Sequence, residues 1–215
     1  MDRLEEIVER IRAELEAKNE ARDLTLRRSR ALIRRCANTI RAIHRAEFES
    51  ASESLALARQ AAEEMIQEIE EHPDLYHTGY TQDALKEFVE ASVTYALITG
   101  TPLPTPEELN VESAAYLGGL AEAASELRRH ILDIIRRSHS ERAERLLGHM
   151  EEIYGHLVTI DFPDAITGRL RRNTDVLRAV LERTRGDVTT SLRQSQLQAA
   201  LRSLEARLSA SDEKG

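Results

Sequence analysis

The chain has 215 residues, of which 41% are apolar, 32% are charged and only 4% are aromatic. This composition is typical of a globular protein, and the length allows one large domain or two small ones. A single cysteine, Cys36, excludes a disulfide framework. Neither a membrane-spanning run of about 18 apolar residues nor an apolar signal-peptide core is present, so we expect a cytoplasmic protein. The formal net charge of −8 argues against a protein that coats nucleic acid with its whole surface, but it leaves room for a local basic channel.

The prolines divide the chain into helical stretches. All five fall within three short segments, 72–80, 99–106 and 160–168. Proline breaks helices and biases the preceding residue toward extended conformations, so these segments predict connections. The sequence between them is rich in Ala, Leu, Glu and Arg, which are strong helix formers, and shows no convincing period-2 alternation. The pattern therefore predicts an all-α protein.

In chain order, we predict helices over 2–20, continuing or breaking into 22–48, then 51–71, 81–98, 112–137, 140–158, 165–187 and 189–209. Apolar residues recur in steps of three and four, as in Leu4, Ile7, Ile11 and Leu15 of the first stretch. Long helices with short connections, and no repeat of about 30–45 residues, favour an antiparallel bundle over a solenoid. We expect one domain over 1–209 and a disordered tail over 210–215.

Basic charge is concentrated in one predicted helix. Eight arginines lie between positions 22 and 45, and Asp23 is the only acid among them. The members that share one helical face are Arg27, Arg30, Arg34, Arg41 and Arg45. Guanidinium groups bind phosphate oxygens bidentately, so this face could follow a nucleic-acid backbone with little sequence preference. The competing interpretation is a solvated face that pairs with acids of a neighbouring helix.

Two predicted helices carry paired carboxylates. Glu87 and Glu90 are three residues apart, and Glu122 and Glu126 are four apart among glycine, alanine and leucine. Both spacings place a pair on one helical face, and small neighbours allow another helix to approach closely. Acids from two facing helices offer the oxygen ligands that Mg²⁺ prefers. The ordinary alternative is that these glutamates are solvated.

Other candidates for chemistry are weak. We predict that Cys36 is a small residue packed in the interior, because no motif that would activate a nucleophile surrounds it. The seven histidines are scattered, and no phosphate-binding glycine loop is present. The Gly118–Gly119 pair lies within a helical pattern and predicts close packing.

Four segments together resemble the translin superfamily. YLGGLAEAASELRR (116–129) resembles its signature helix, and KEFVEA (86–91) resembles the matching helix of translin-associated factor X, or TRAX. SRALIRRCANTIRAIHR (29–45) is similar to the first long helix of TRAX, and LRRNTDVLRAVLERT (170–184) to the last helix of the family. The likeness touches both ends and the middle of the chain.

This resemblance implies about seven helices per subunit and a hollow, octameric shell that binds RNA or single-stranded DNA inside. TRAX-type subunits are Mg²⁺-dependent endoribonucleases, whereas translin-type subunits lack the catalytic acids. Glu87, Glu90 and Glu122 match the discriminating acids, although Glu122 stands where TRAX has aspartate, and Glu126 belongs to an element shared by both types. Archaeal relatives of TRAX are homo-oligomers, and this compact chain without long insertions resembles them. We therefore predict a homo-oligomer in which these four glutamates bind Mg²⁺, or Mn²⁺, and catalyse RNA hydrolysis, with Glu126 as a further ligand or as the base that positions water. The arginines of the basic face and Arg129 would hold the RNA, as a short duplex or a single strand.

Two alternatives stay open. The protein could be a non-catalytic RNA-binding or single-stranded-DNA-binding scaffold in which the acids are structural. It could also be an all-α nucleoside triphosphate pyrophosphohydrolase, a class that binds Mg²⁺ with acidic pairs on two helices. The spacing of four between Glu122 and Glu126 differs from the spacing of three that is usual in that class.

Overall fold

The computed structural model describes residues 2–138 and 140–212, and every regular element within those ranges is a helix. In chain order the elements are α1 (Asp2–His44), α2 (Phe48–Gln67), α3 (Pro73–Tyr76), α4 (Gly79–Thr99), α5 (Pro106–Leu109), α6 (Ser113–Ile135), α7 (Glu141–Leu157), α8 (Asp164–Thr167) and α9 (Leu170–Asp212). Six of these helices are long and three are single turns, which confirms the all-α prediction. Among the described helices, none combines the length and the apolar character that crossing a membrane would need.

The three proline-containing segments are connections, as predicted; α3 and α8 lie within two of them, and α5 begins at the last residue of the remaining one. The segment after α4 shows how local chemistry ends one helix and starts the next. Gly100 adopts a left-handed conformation with φ 77° and ends α4. Thr105 then begins α5 with a capping box, in which its hydroxyl accepts from the Glu108 amide and the Glu108 carboxylate accepts from the Thr105 amide.

One alternative that the sequence left open is resolved, and one predicted break is absent. The helix that begins at residue 2 continues through residue 21 rather than breaking there, and the last helix runs through residue 188, where we predicted a break. Tertiary contacts hold the second of these positions, because Asp187 pairs with Arg128 of α6 at 2.9 Å and Val188 is buried. The backbone of α9 is helical to Asp212, beyond the predicted domain end at 209. Residues 213–215 lie outside the described residues, so the tail stays a prediction there.

The core is built around α4. This helix packs against α1, α2 and α6, and α6 in turn packs against α7 and α9. Phe88 and Val89 of α4 are fully buried, as are Ala123 and Leu127 of α6. The apolar face predicted for residues 2–20 does not join this core, because Leu4, Ile7, Ile11 and Leu15 are all exposed.

Gly119 sets the distance between α4 and α6. A Cβ atom at this position would lie 2.6 Å from Val89 Cβ and 2.7 Å from the Lys86 carbonyl oxygen. The second of these contacts is with backbone, so it cannot be relieved by a side-chain rotation. The prediction that the Gly118–Gly119 pair serves close packing is therefore confirmed at Gly119.

We expect Gly119→Ala to force the two helices apart and to lower the free energy of unfolding by about 1–3 kcal/mol, the scale of an overpacked core. Urea denaturation measures this change. Gly148→Ala is the matched control, because Gly148 lies in α7 with open space around it. Helix propensity alone should make that variant more stable by about 1 kcal/mol. Equal stabilities of the two variants would contradict the close-approach interpretation.

Candidate metal centre

Three of the four predicted glutamates come together between α4 and α6. One carboxylate oxygen from each of Glu87, Glu90 and Glu122 lies within 4.8 Å of the other two. All three side chains are half-buried rather than solvated. Hard oxygen donors at such distances form an arrangement that can hold a divalent cation.

Lys86 provides the positive charge in this cluster. Its ammonium group lies 2.5 Å from Glu122 Oε2 and 3.5 Å from Glu87 Oε1. Burial by itself lowers the pKa of Lys86, but the hydrogen bond and charge of Glu122, with the charges of Glu87 and Glu90, outweigh burial and raise the pKa. No role was predicted for Lys86 from the sequence, although it directly precedes Glu87.

Glu90 has the largest pKa shift among the acids of the cluster. Burial raises its pKa, and repulsion from Glu87, Glu122 and Glu126 raises it further, to about 8. Burial also raises the pKa of Glu87. A single lysine therefore does not compensate for these carboxylates, and the site favours an additional positive charge, either a proton or a cation.

Glu126 lies beside the trio and is held by a histidine. Its Oε1 is 2.5 Å from Nε2 of His44, whose side chain is almost completely buried at the end of α1. His130 of α6 lies next to His44, with ring centroids 6.5 Å apart. Burial, with the nearby charges of Arg142 and His44, lowers the pKa of His130 to about 4, so this ring is neutral at physiological pH. His44 lies in the segment of α1 that resembles the first long helix of TRAX, but its contact with Glu126 was not predicted.

A cavity of about 470 Å³ opens beside the acids. Glu90, Glu122 and Glu126 contribute to its wall, and so do Arg169 and Arg172 from the start of α9. The chain enters α9 through two successive left-handed residues, since φ is 58° at Gly168 and 69° at Arg169. These two arginines were not predicted, because their role depends on a turn that connects distant parts of the chain.

The predicted basic residues lie elsewhere. An exposed stripe along α1 contains Arg27, Arg30, Arg34, Arg41 and Arg45. None of them contributes to the wall of the cavity, and Arg129 is exposed on α6. Within α1, Arg28 pairs with two acids of the α2 region, Glu64 and Glu68.

Cys36 is buried, as predicted, on the side of α1 that faces the acids. Burial raises the pKa of its thiol to about 12, with a contribution from the charges of Glu87 and Glu90. A thiol in this environment stays protonated and is a poor nucleophile.

Comparison with known proteins identifies the family. The chain is 33% identical to AfC3PO in the structure of its complex with duplex RNA, with a TM-score of 0.81, over 87% of this chain and 97% of that one. A crystal structure of AfC3PO matches at 32% identity with the same TM-score and coverage. The chain therefore belongs to the translin superfamily, to which these C3PO proteins also belong.

Two further matches have lower sequence identity. A crystal structure of apo-NeC3PO matches at 23% identity with a TM-score of 0.76, over 86% of this chain and 96% of that one. An uncharacterized protein of Methanocaldococcus jannaschii is 28% identical over 193 residues, which are 89% of this chain and 86% of the relative. No family model matches the chain.

The pKa of Glu90 predicts how stability depends on pH when no divalent cation is bound. The folded state holds the Glu90 proton up to about pH 8, whereas the unfolded state releases it near 4.5. The folded state therefore binds more protons between these values, and stability falls as the pH rises through this window. In EDTA, we expect Glu90→Gln to melt at the same temperature as wild type near pH 5 and at least about 2 °C higher at pH 8.5, the shift that 1 kcal/mol produces in a domain of this size.

Differential scanning calorimetry over this pH range measures the difference between the two proteins. Subtracting one curve from the other removes the contributions of the titrating groups that do not interact with Glu90. A difference that does not change with pH would mean that Glu90 has an ordinary pKa.

Proposed function

We propose that this protein is a Mg²⁺-dependent endoribonuclease of TRAX type, which binds RNA inside an oligomeric shell and hydrolyses phosphodiester bonds. The observation that carries the proposal is the convergence of Glu87, Glu90 and Glu122 within 4.8 Å. The complex of AfC3PO with duplex RNA supports RNA as the substrate. The resemblance to TRAX supports assembly into a homo-octamer, and the cytoplasm stays the location that the sequence predicts.

The residues of the cluster fit a hard divalent cation. Glu87, Glu90 and Glu122 would hold Mg²⁺, with Mn²⁺ as the alternative ion. When bound, the ion supplies Lewis acidity to a phosphodiester and lowers the pKa of coordinated water. To act as a ligand, Glu90 must lose the proton that burial and repulsion stabilise. Glu122 can keep its hydrogen bond with Lys86 while it binds the ion, because a carboxylate offers several lone pairs.

Glu126 is suited to act as the general base. It borders the cavity but lies outside the trio, and its bond to buried His44 fixes the orientation of its carboxylate. In this mechanism Glu126 accepts a proton from a water molecule as the water oxygen attacks phosphorus. The bond from phosphorus to the leaving ribose oxygen then breaks, and that oxygen takes a proton from solvent.

Two groups of arginines would bind the RNA backbone. Arg169 and Arg172 border the cavity and would hold the phosphates next to the scissile bond. The exposed stripe of α1, together with Arg129, would contact phosphates farther away. Enclosure within a shell would reconcile the net charge of −8 with RNA binding. The arginines would face the RNA inside the shell, while the excess of acidic side chains would lie on its outer surface.

We expect Glu122→Gln to lower the rate of Mg²⁺-dependent cleavage of labelled duplex RNA by at least about 100-fold, the scale of losing one electrostatic catalytic group. Mn²⁺ titration followed by electron paramagnetic resonance should show weaker ion binding in the same variant. Glu152→Gln is the matched control, because Glu152 is an exposed acid on α7. Unchanged cleavage by Glu122→Gln would contradict the assignment.

The ion pair between Lys86 and Glu122 favours a second candidate, a non-catalytic RNA-binding scaffold. In that case the carboxylates stabilise the α4–α6 contact through Lys86 and hold no ion. Wild-type protein would then bind duplex RNA and leave it intact both in Mg²⁺ and in EDTA. Cleavage that appears with Mg²⁺ and disappears with EDTA excludes this candidate.

We also expect the exposed stripe of α1 to determine the salt dependence of RNA binding. Replacing both Arg30 and Arg34 by Gln in the Glu122→Gln background should reduce the slope of log K against log salt by about 0.7–0.9 for each phosphate that is no longer neutralised. Fluorescence anisotropy with duplex RNA in EDTA measures the slope. The control is Arg145→Gln on α7, and an unchanged slope in the double variant would remove the stripe from the RNA-binding surface.

A further inference from the structure

Both ends of the chain carry an exposed apolar stripe with coiled-coil spacing. The N-terminal seam consists of Leu4, Val8, Ile11 and Leu15 of α1, and the C-terminal seam consists of Leu197, Leu201, Leu204 and Leu208 of α9. Both follow the steps four, three and four, which place apolar residues at the a and d positions of a heptad. Each of the eight side chains is between 44 and 61% exposed. Each seam therefore presents four layers of apolar side chains to water.

The two seams project from opposite ends of the bundle. At one end, Lys18 of α1 contacts Asp74 of α3 at 2.6 Å, and His77 of the same connection lies 3.6 Å from Glu112 at the start of α6. The N-terminal seam precedes Lys18 and extends beyond this end.

At the other end, the bond between His44 and Glu126 places the end of α1 beside the C-terminal half of α6. Arg128, in the same half of α6, contacts Asp187 of α9 at 2.9 Å. The C-terminal seam follows Asp187 and extends beyond that end. With a rise of about 1.5 Å per residue, roughly 50 Å of helix separates the two seams, so they cannot pair within one chain.

The charges beside the two seams are complementary. Residues 3–17 contain five acidic and three basic side chains, a net charge of −2. Residues 193–209 contain one acidic and three basic side chains, a net charge of +2. Pairing two N-terminal seams, or two C-terminal seams, brings like net charge together, whereas pairing one of each neutralises it.

We propose that the N-terminal seam of one copy of this chain packs against the C-terminal seam of a second copy. This contact is a coiled-coil interface between subunits, and it buries the apolar side chains that one chain leaves in water. It does not depend on the proposed nuclease activity, since no seam residue borders the cavity beside the acids.

The test uses two full-length variants, Ile11→Asp in the N-terminal seam and Leu201→Asp in the C-terminal seam. Both positions are exposed in the single chain, so the helical content of each variant should match wild type by circular dichroism. Light scattering coupled to size exclusion should show that each variant alone has at most half the mass of the wild-type assembly. An equimolar mixture should form a larger species than either variant alone, because each variant keeps the seam that the other has lost.

Leu57→Asp is the control, since Leu57 is equally exposed on α2 but lies outside both seams, and this variant should keep the wild-type mass. Glu122→Gln should also keep the wild-type mass, which separates this interface from the metal site. A wild-type mass for either seam variant would overturn the proposal. Reduced masses without a larger species in the mixture would also overturn it, since that result indicates pairing of like seams.

Discussion

The close approach of α4 and α6 at Gly119 is the constraint on which the candidate site depends. Glu87 and Glu90 come from one of these helices and Glu122 from the other, so their separation is set by the distance between the two backbones. Because the Lys86 carbonyl lies where a Cβ would stand, that distance allows no side chain at position 119. The glycine therefore lowers helix propensity locally but brings carboxylates from two helices within reach of one cation.

The same close approach brings like charges together. Carboxylates that are half-buried and adjacent repel one another, and Lys86 offsets only part of this repulsion. The remainder raises the pKa of Glu90 to about 8, so a proton stabilises the site when no cation is present. His44 adds a separate restraint, since it ties Glu126 to the end of α1 and keeps that carboxylate apart from the trio. The four glutamates thus divide into three whose oxygens lie within 4.8 Å of one another and one that is held separately by a histidine.

Much of the architecture was predictable from sequence because it depends on local signals. The prolines mark the three connections, and the paired glycines identified the close helix contact. The unbroken course of α9 was not predictable in this way, because the contact of Asp187 with α6 supports a region that has weak helix propensity. Lys86, His44 and Arg169 were missed for a similar reason, since each acts through a neighbour that is distant along the chain. The i,i+3 and i,i+4 spacings placed glutamates on one face, but they contained no information about which of them would share a ligand position.

The turn before α9 has a consequence for attempts to engineer this protein. Arg169 holds a left-handed backbone conformation that costs an ordinary residue roughly 1–2 kcal/mol and costs glycine almost nothing. A screen for thermal resistance alone would therefore favour glycine or asparagine at position 169. Such a protein would lack one positive charge in the wall of the cavity, so selection for thermal stability at this turn would work against the phosphate binding that we propose for Arg169.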